Sequence, residues 1–196
     1  MKLTTRSAVA SVALSTIVLL LTACSGSNED SATSGTPSGA NFDRAFIDAM
    51  VPHHESAIEM AKAAKAAGLS QPDLVKVAND ILATQRDEID KMKSWRGEWF
   101  GSSVIDPNGA AALGLSESEM GMDIGHDVGM LENSTQIDTD FAQAMITHHQ
   151  GAILMAKLAD DRAEHDQLKD LAQAIISAQE REIKVMSPHA SGMNHG

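Results

Sequence analysis

The chain says one thing twice. The stretch "MVPHHESAIEMAK", from Met50 to Lys62, returns as "MITHHQGAILMAK" from Met145 to Lys157, an offset of 95 residues that also pairs Phe46 with Phe141 and Met60 with Met155. Downstream, "DLVKVANDILATQRDEIDKM" (73–92) matches "QLKDLAQAIISAQEREIKVM" (167–186) at an offset of 94. There Leu74, Ala78, Ile81, Gln85, Glu88, Ile89 and Met92 meet Leu168, Ala172, Ile175, Gln179, Glu182, Ile183 and Met186. A match ordered over so long a stretch is an internal repeat, and each copy must fold in the same way.

Each copy reads as helix, turn, helix. Phe46, Met50, Ala57, Met60, Ala61 and Ala64 fall at the spacing of an amphipathic helix. In "AGLSQPDL", Gly68 fits a C-cap, Ser70 an N-cap and Pro72 a first helical turn. The second helix carries its stripe on Leu74, Ala78, Ile81, Gln85, Ile89 and Met92. In the second copy the break is "DDRAEHDQ", polar but without Gly or Pro. Two hairpins that each bury one stripe must pack on each other, which predicts an all-α four-helix bundle with pseudo-two-fold symmetry over 41–187. Repeat one then covers 41–100 and repeat two 137–187. The connection at 101–136 is Gly- and Met-rich and weakly periodic, and it is long for a segment without structure, which points to a role of its own. The His- and Met-containing tail at 188–196 reads as frayed.

Ahead of the repeats, "MKLTTRSAVASVALSTIVLLLTAC" has Lys2 and Arg6, an apolar run, and a small residue before Cys24. That is the layout of a secretory signal. Its end resembles a bacterial lipobox, which implies removal of 1–23 and lipidation of Cys24 at the outer face of the cytoplasmic membrane or on the periplasmic side. The plainer reading is secretion with one unpaired thiol. Residues 24–40 are mostly Ser, Gly, Thr, Asn and Pro and read as a flexible tether. Losing Lys2 and Arg6 leaves 13 basic residues against 27 acidic ones. Such a surface argues against nucleic acid. With Cys24 spent there is no intradomain disulfide, and stability must come from an aliphatic core rich in Ala and Met.

The chain has eight histidines, and four of them stand in the repeated motif. At 100° per residue, Phe46, Met50, Ala57 and Ala61 share an arc of about 60°. His53 borders one edge of it and His54 the other, while Arg44, Glu55 and Lys62 lie opposite. On the partner helix Gln85 is at mid-stripe, where an amide is costly unless hydrogen-bonded, and Glu88 is at the stripe's edge beside Met92. Counting equal distances from the turn, about 24 Å at 1.5 Å per residue, puts His53 and His54 level with Gln85 and Glu88. The same count puts His148 and His149 level with Gln179 and Glu182. Each hairpin therefore assembles Met, His, His, Gln, Glu and Met in one layer.

Three chemistries suit such a layer. It can be a buried polar network that fixes bundle register. It can be a di-iron site, although that needs Glu-x-x-His, which does not occur at this level. Or it can hold a soft metal: imidazole suits copper and zinc, and thioether suits Cu(I). Met50, Met92, Met145 and Met186 recur here in matched pairs, and copper fits best, ahead of zinc or iron. His53, His54, His148 and His149 are then the candidate ligands with those four Met as soft partners. Gln85, Glu88, Gln179 and Glu182 orient them or add an oxygen. Met60 and Met155 read as core filler. Accessory candidates are Met120, Met122, His126 and Met130 in "MGMDIGHDVGM", and His189, Met193 and His195 in the tail.

These same residues carry a family resemblance. "FDRAFIDAMVPHHESAIEMA" and "FAQAMITHHQGAILMA", each followed by Gln-x-x-Glu-Ile-x-x-Met, resemble the domain of unknown function 305 family over roughly 41–187. The resemblance implies a ferritin-like bundle and, through the family's CopM-like exported copper-binding members, copper at the paired motifs. Pro52 and the Glu55/Gln150 mismatch depart from symmetry. The expectation is a lipid-anchored, extracytoplasmic copper-binding protein acting in sequestration, resistance or delivery rather than catalysis, served by copper-handling partner proteins. A ferritin-like metal oxidase, or a structural or partner-binding lipoprotein without metal, are the alternatives.

Overall fold

The computed structural model describes residues 37–122 and 124–191, with backbone alone at 124–126. Cys24, Met193 and His195 lie outside the described residues, as does the side chain of His126. All regular structure among the described residues is helical: α1 Ala40–Ala66, α2 Pro72–Phe100, α3 Gly109–Leu113, α4 Ile124–Glu132, α5 Ile137–Lys157, α6 Ala159–Arg162 and α7 Asp166–Ala190. The four long helices form the bundle as two hairpins, α1/α2 and α5/α7. None of the described helices is long and apolar enough to cross a membrane.

The core falls into two clusters, and their membership gives the arrangement. One joins the start of α1 (Phe42, Phe46) to the turn of the second hairpin (Ala163, Leu168) and holds Met50, Met92 and Met155. The other joins the turn of the first hairpin (Leu69, Leu74) to the start of α5 (Phe141) and holds Met60, Met145 and Met186. The turns thus point to opposite ends, and the pseudo-two-fold axis crosses the bundle between the clusters.

Neither α2 nor α7 has a side-chain cap from its own N-cap residue, and α2 starts from Gln71, not Ser70. An aspartate from the other hairpin does the work. The Asp138 carboxylate on α5 accepts from the Ser70 and Gln71 amides and the Ser70 hydroxyl. Its pseudo-equivalent, Asp43 on α1, accepts from the Glu164 and His165 amides and from His165 Nδ1. Orphan amides of a helix start need such acceptors. These two pairs clamp each hairpin onto the other.

The connection is more ordered than its composition suggests, because it is fastened to the bundle. Asp48 accepts from Arg96 Nε at 2.5 Å and Nη2 at 3.0 Å, and from the Asp106 amide, while Arg96 Nη1 donates to the Ser102 carbonyl. Gly109 then lies so close to α1 that a Cβ would meet the Asp48 carbonyl carbon at 2.4 Å. Pro52 offers no amide to the Asp48 carbonyl, yet α1 runs unbroken through it.

The expected fraying of the tail is corrected in part. α7 continues through Pro188 to Ala190. A proline there removes only one late helical bond, and the last turn has outside support: Gln143 Nε2 donates to the Ala190 carbonyl, and His189 Nε2 bonds Asp73.

Candidate metal centre

Between the two clusters lies a polar layer. His53, His54 and His149 are fully buried, His148 is 1% exposed, and Gln85 and Gln179 are each 3% exposed. The histidines do not merely border the core, as helix geometry alone implies; the opposite hairpin closes over them. His53 and His148 meet near the pseudo-axis, with ring centroids 3.8 Å apart and planes tilted by 40°. His54 and His149 flank them, each 6.4 Å from its sequence neighbour's ring. Both half-layers thus form one.

Every one of these rings is held by Nε2. His54 Nε2 donates to Glu88 at 2.8 Å, and His149 Nε2 donates to Glu182 at 2.6 Å. His53 Nε2 donates to the backbone carbonyl of Met120 at 2.8 Å. His148 Nε2 donates to the Ser56 hydroxyl oxygen at 2.5 Å, and that hydroxyl spends its own proton on the His53 carbonyl. A carbonyl only accepts, so the proton of the neutral His53 ring sits on Nε2, and with the Ser56 proton on the His53 carbonyl the His148 proton sits on Nε2 as well. The other nitrogen, Nδ1, then carries a lone pair. In all four rings Nδ1 is buried without a protein partner, as are Gln85 Oε1 and Gln179 Oε1. Gln85 therefore does not find the partner its mid-stripe position calls for.

Burial pushes His53 down from 6.5 to about 3, and the neighbouring His54 pushes the same way; the Met120 carbonyl opposes them. Burial likewise lowers His148 well below 6.5, followed by the charges His53, His149 and His54 would carry. The central pair is neutral at physiological pH, as metal ligation requires.

The remaining candidates separate clearly. Met50 and Met92 are fully buried in one core cluster, and Met145 and Met186 in the other, flanking the layer. Glu88 and Glu182 keep 18% and 16% of their side chains exposed and bond histidines. Met60 and Met155 are core residues, and so is the Met120 side chain. Met122 and Met130 line a cavity of about 590 Å³ with Glu117, Gln143 and Thr147. His189 is not on a free tail but in the last turn of α7 against Asp73. Among the described residues no three His, Cys, Asp or Glu side chains converge as a ready-made cation site. The sequence reading missed Ser56 and the Met120 carbonyl. The available signal was a mismatch inside the repeat, Ser56 against Gly151.

The sequence model for the family described as Domain of unknown function (DUF305) matches residues 22–96 and 43–189. The chain belongs to the DUF305 family. Among solved structures it is similar to CopM in the Cu(I)-bound form, at 32% identity and a TM-score of 0.64, covering 78% of this chain and 97% of that one. CopM has also been solved in Cu(II)-bound, silver-bound and apo forms. A DUF305 fragment from Deinococcus radiodurans is 27% identical with a TM-score of 0.62, covering 80% of this chain and 99% of that one. A DUF305 protein of Streptomyces coelicolor is 26% identical with a TM-score of 0.66, covering 74% and 89%. No curated protein matches. As a DUF305 protein the chain has the ferritin-like all-α fold, without the Glu-x-x-His pattern of di-iron carboxylate sites at its polar layer.

Proposed function

We propose that this DUF305 protein binds copper, as Cu(I), in its four-histidine layer, and serves in extracytoplasmic sequestration, resistance or delivery. One observation carries the reading: four buried Nδ1 lone pairs with no protein partner, on rings whose Nε2 protons are all engaged. Leaving buried acceptors unsatisfied costs about 1–3 kcal/mol each, and a metal that accepts lone pairs removes that cost. The carboxylates on His54 and His149 are the arrangement that fixes the tautomer and raises the basicity of a ligating imidazole.

Donor chemistry selects the metal. A layer of imidazoles between buried thioethers lacks the clustered oxygens that hard cations need, and suits Cu(I). His53, His54, His148 and His149 are the nitrogen donors, and Met50, Met92, Met145 and Met186 complete coordination. Glu88 and Glu182 orient, and Gln85 and Gln179 supply carbonyl oxygens toward the layer. The Cu(I)-, Cu(II)- and silver-bound states of the similar CopM support the same chemistry. The leader ending at Cys24 supports export with a lipid anchor; loss of membrane attachment in C24A checks the anchor.

The decisive measurement is Cu(I) titration under reducing conditions of the chain without its leader, beside a variant with all four repeat histidines changed to Ala. The wild type is expected to take up copper and the variant to lose at least a hundredfold in affinity. Equal uptake by both would sink the proposal. A wild type that binds no metal, with a variant that fails to fold, would make the layer a structural polar network instead.

A further inference from the structure

The two central histidines are pseudo-equivalent, yet their Nε2 protons go to different kinds of acceptor. His148 donates to Ser56, a side chain on α1. The repeat offset places Gly151 opposite Ser56, so His53 has no hydroxyl to reach on α5. The Met120 carbonyl takes that place. The fit depends on the missing side chain: a Cβ on Gly151 would lie 1.8 Å from the Met120 oxygen. Gly121, next to Met120 and in a left-handed conformation, is also tight, since a Cβ there would meet the Thr147 carbonyl oxygen at 2.5 Å.

The segment that delivers this carbonyl is organised for it. Ser116 and Glu119 bond each other through side chain and backbone. The amides of Met120, Gly121 and Met122 turn back onto Ser116, Ser118 and Glu117, while the Met120 side chain is anchored in the core at 2% exposure. The strap, 116–122, separates two cavities. The larger, about 590 Å³, touches Gln143 and Thr147 on α5; the smaller, about 300 Å³, touches Asp48, Ala49 and Pro52 on α1. These lining positions are pseudo-equivalent, so the strap lies across the symmetry axis but bonds only one histidine.

We propose that Met120, through its main-chain carbonyl, is the positioning residue for His53, and that Gly151 is the residue that admits it. One half of the metal layer is thereby held by the bundle itself and the other by the connecting strap, so the His53 side responds to strap movement and the His148 side does not. That last consequence rests on His53 being a metal donor; the assignment of its tautomer and acceptor does not.

Two substitutions separate the roles. G151A pushes the carbonyl away and gives His53 nothing in return. G151S pushes it away equally but supplies a hydroxyl in the position Ser56 occupies in the other half. Long-range proton–nitrogen NMR of the histidine rings in the metal-free protein should show His53 as the Nε2–H tautomer in wild type. That tautomer should be lost or mixed in G151A and restored in G151S, with His148 unchanged throughout. Cu(I) affinity should fall about tenfold or more in G151A and return to within about threefold of wild type in G151S. An Nδ1–H tautomer for His53 in the wild-type protein overturns the proposal outright, whether or not either variant folds. So does a G151S protein no better than G151A in both measurements. If wild type shows the expected tautomer but binds no copper, the metal reading fails and the positioning assignment stands.

Discussion

At Asp48 of the first hairpin a carboxylate is buried against Arg96, each side chain 3% exposed, and together they tie down Ser102 and Asp106 at the start of the connection. At the equivalent positions of the second hairpin stand Gln143 and Ala190, whose single bond runs from the exposed amide to a terminal carbonyl. Yet in both hairpins the outer histidine bonds a glutamate on the next helix, and an aspartate caps the other hairpin's second helix. The halves agree in the outer histidines of the polar layer and in how they clasp each other. They differ where the connection docks, since only one half carries it. Asymmetry in this bundle belongs to the strap and its anchors.

The largest expected effect breaks that difference directly. R96A leaves the buried Asp48 carboxylate with the Asp106 amide and the largely exposed Arg44 at 3.9 Å, and removing one partner of a buried pair costs about 3–5 kcal/mol. Q143A removes an exposed amide bond and should cost less than about 1 kcal/mol. Urea denaturation of the two variants measures the contrast. Similar losses would mean that the connection is not fastened through Asp48.

A second test concerns the shared layer, where burial acts on both central histidines in the same direction. His53 titrates near 3 in the fold and at 6.5 when unfolded, and His148 is lowered in the same direction. Between these values the unfolded chain binds protons that the native state refuses, so stability rises with pH. It is fully present above about 6.5 and is lost progressively as pH falls toward 3. From His53 alone the loss at pH 5 is about 2 kcal/mol. Denaturation of the metal-free protein across this range should show it. H53Q and H148Q should each flatten the slope, and a slope untouched by either would contradict neutral buried rings.

What could be read from the sequence follows from what helical spacing determines. Period and turn position decide which residues share a face and a level, and so the hairpins and the approach of His54 to Glu88 and His149 to Glu182 were legible. Contacts between segments far apart in the chain were not. Ser56 bonding His148, the Met120 carbonyl on His53, and the Asp48–Arg96 pair all depend on how hairpins and connection are laid together, which no local period encodes. The start of the tail was misjudged for a related reason. It reads as frayed because it is terminal, but Asp73 and Gln143, distant in sequence, hold the last turn of α7 in place. Gly109, Gly121 and Gly151 were visible, but as composition; only the docked connection shows that each marks a place where two backbones nearly touch.

A final contrast tests the symmetric clamps. Asp43 is fully buried and satisfies two amides and the His165 ring, which also stacks on Trp99 with centroids 3.8 Å apart. Asp138 serves two amides and a hydroxyl; burial pushes its carboxyl up, but the bonds from Ser70 and Gln71 outweigh this and hold it below the usual range. Removing a cap costs about 1 kcal/mol, and up to about 2 where amides are left buried. D43A is therefore expected to cost about 2 kcal/mol and D138A about 1. Because each aspartate caps a helix of the opposite hairpin, amide hydrogen exchange should separate the variants. D43A should speed exchange at the start of α7, and D138A at the start of α2. Faster exchange confined to the mutated helix itself would show that the caps are local features and that something other than this exchange of aspartates holds the hairpins together.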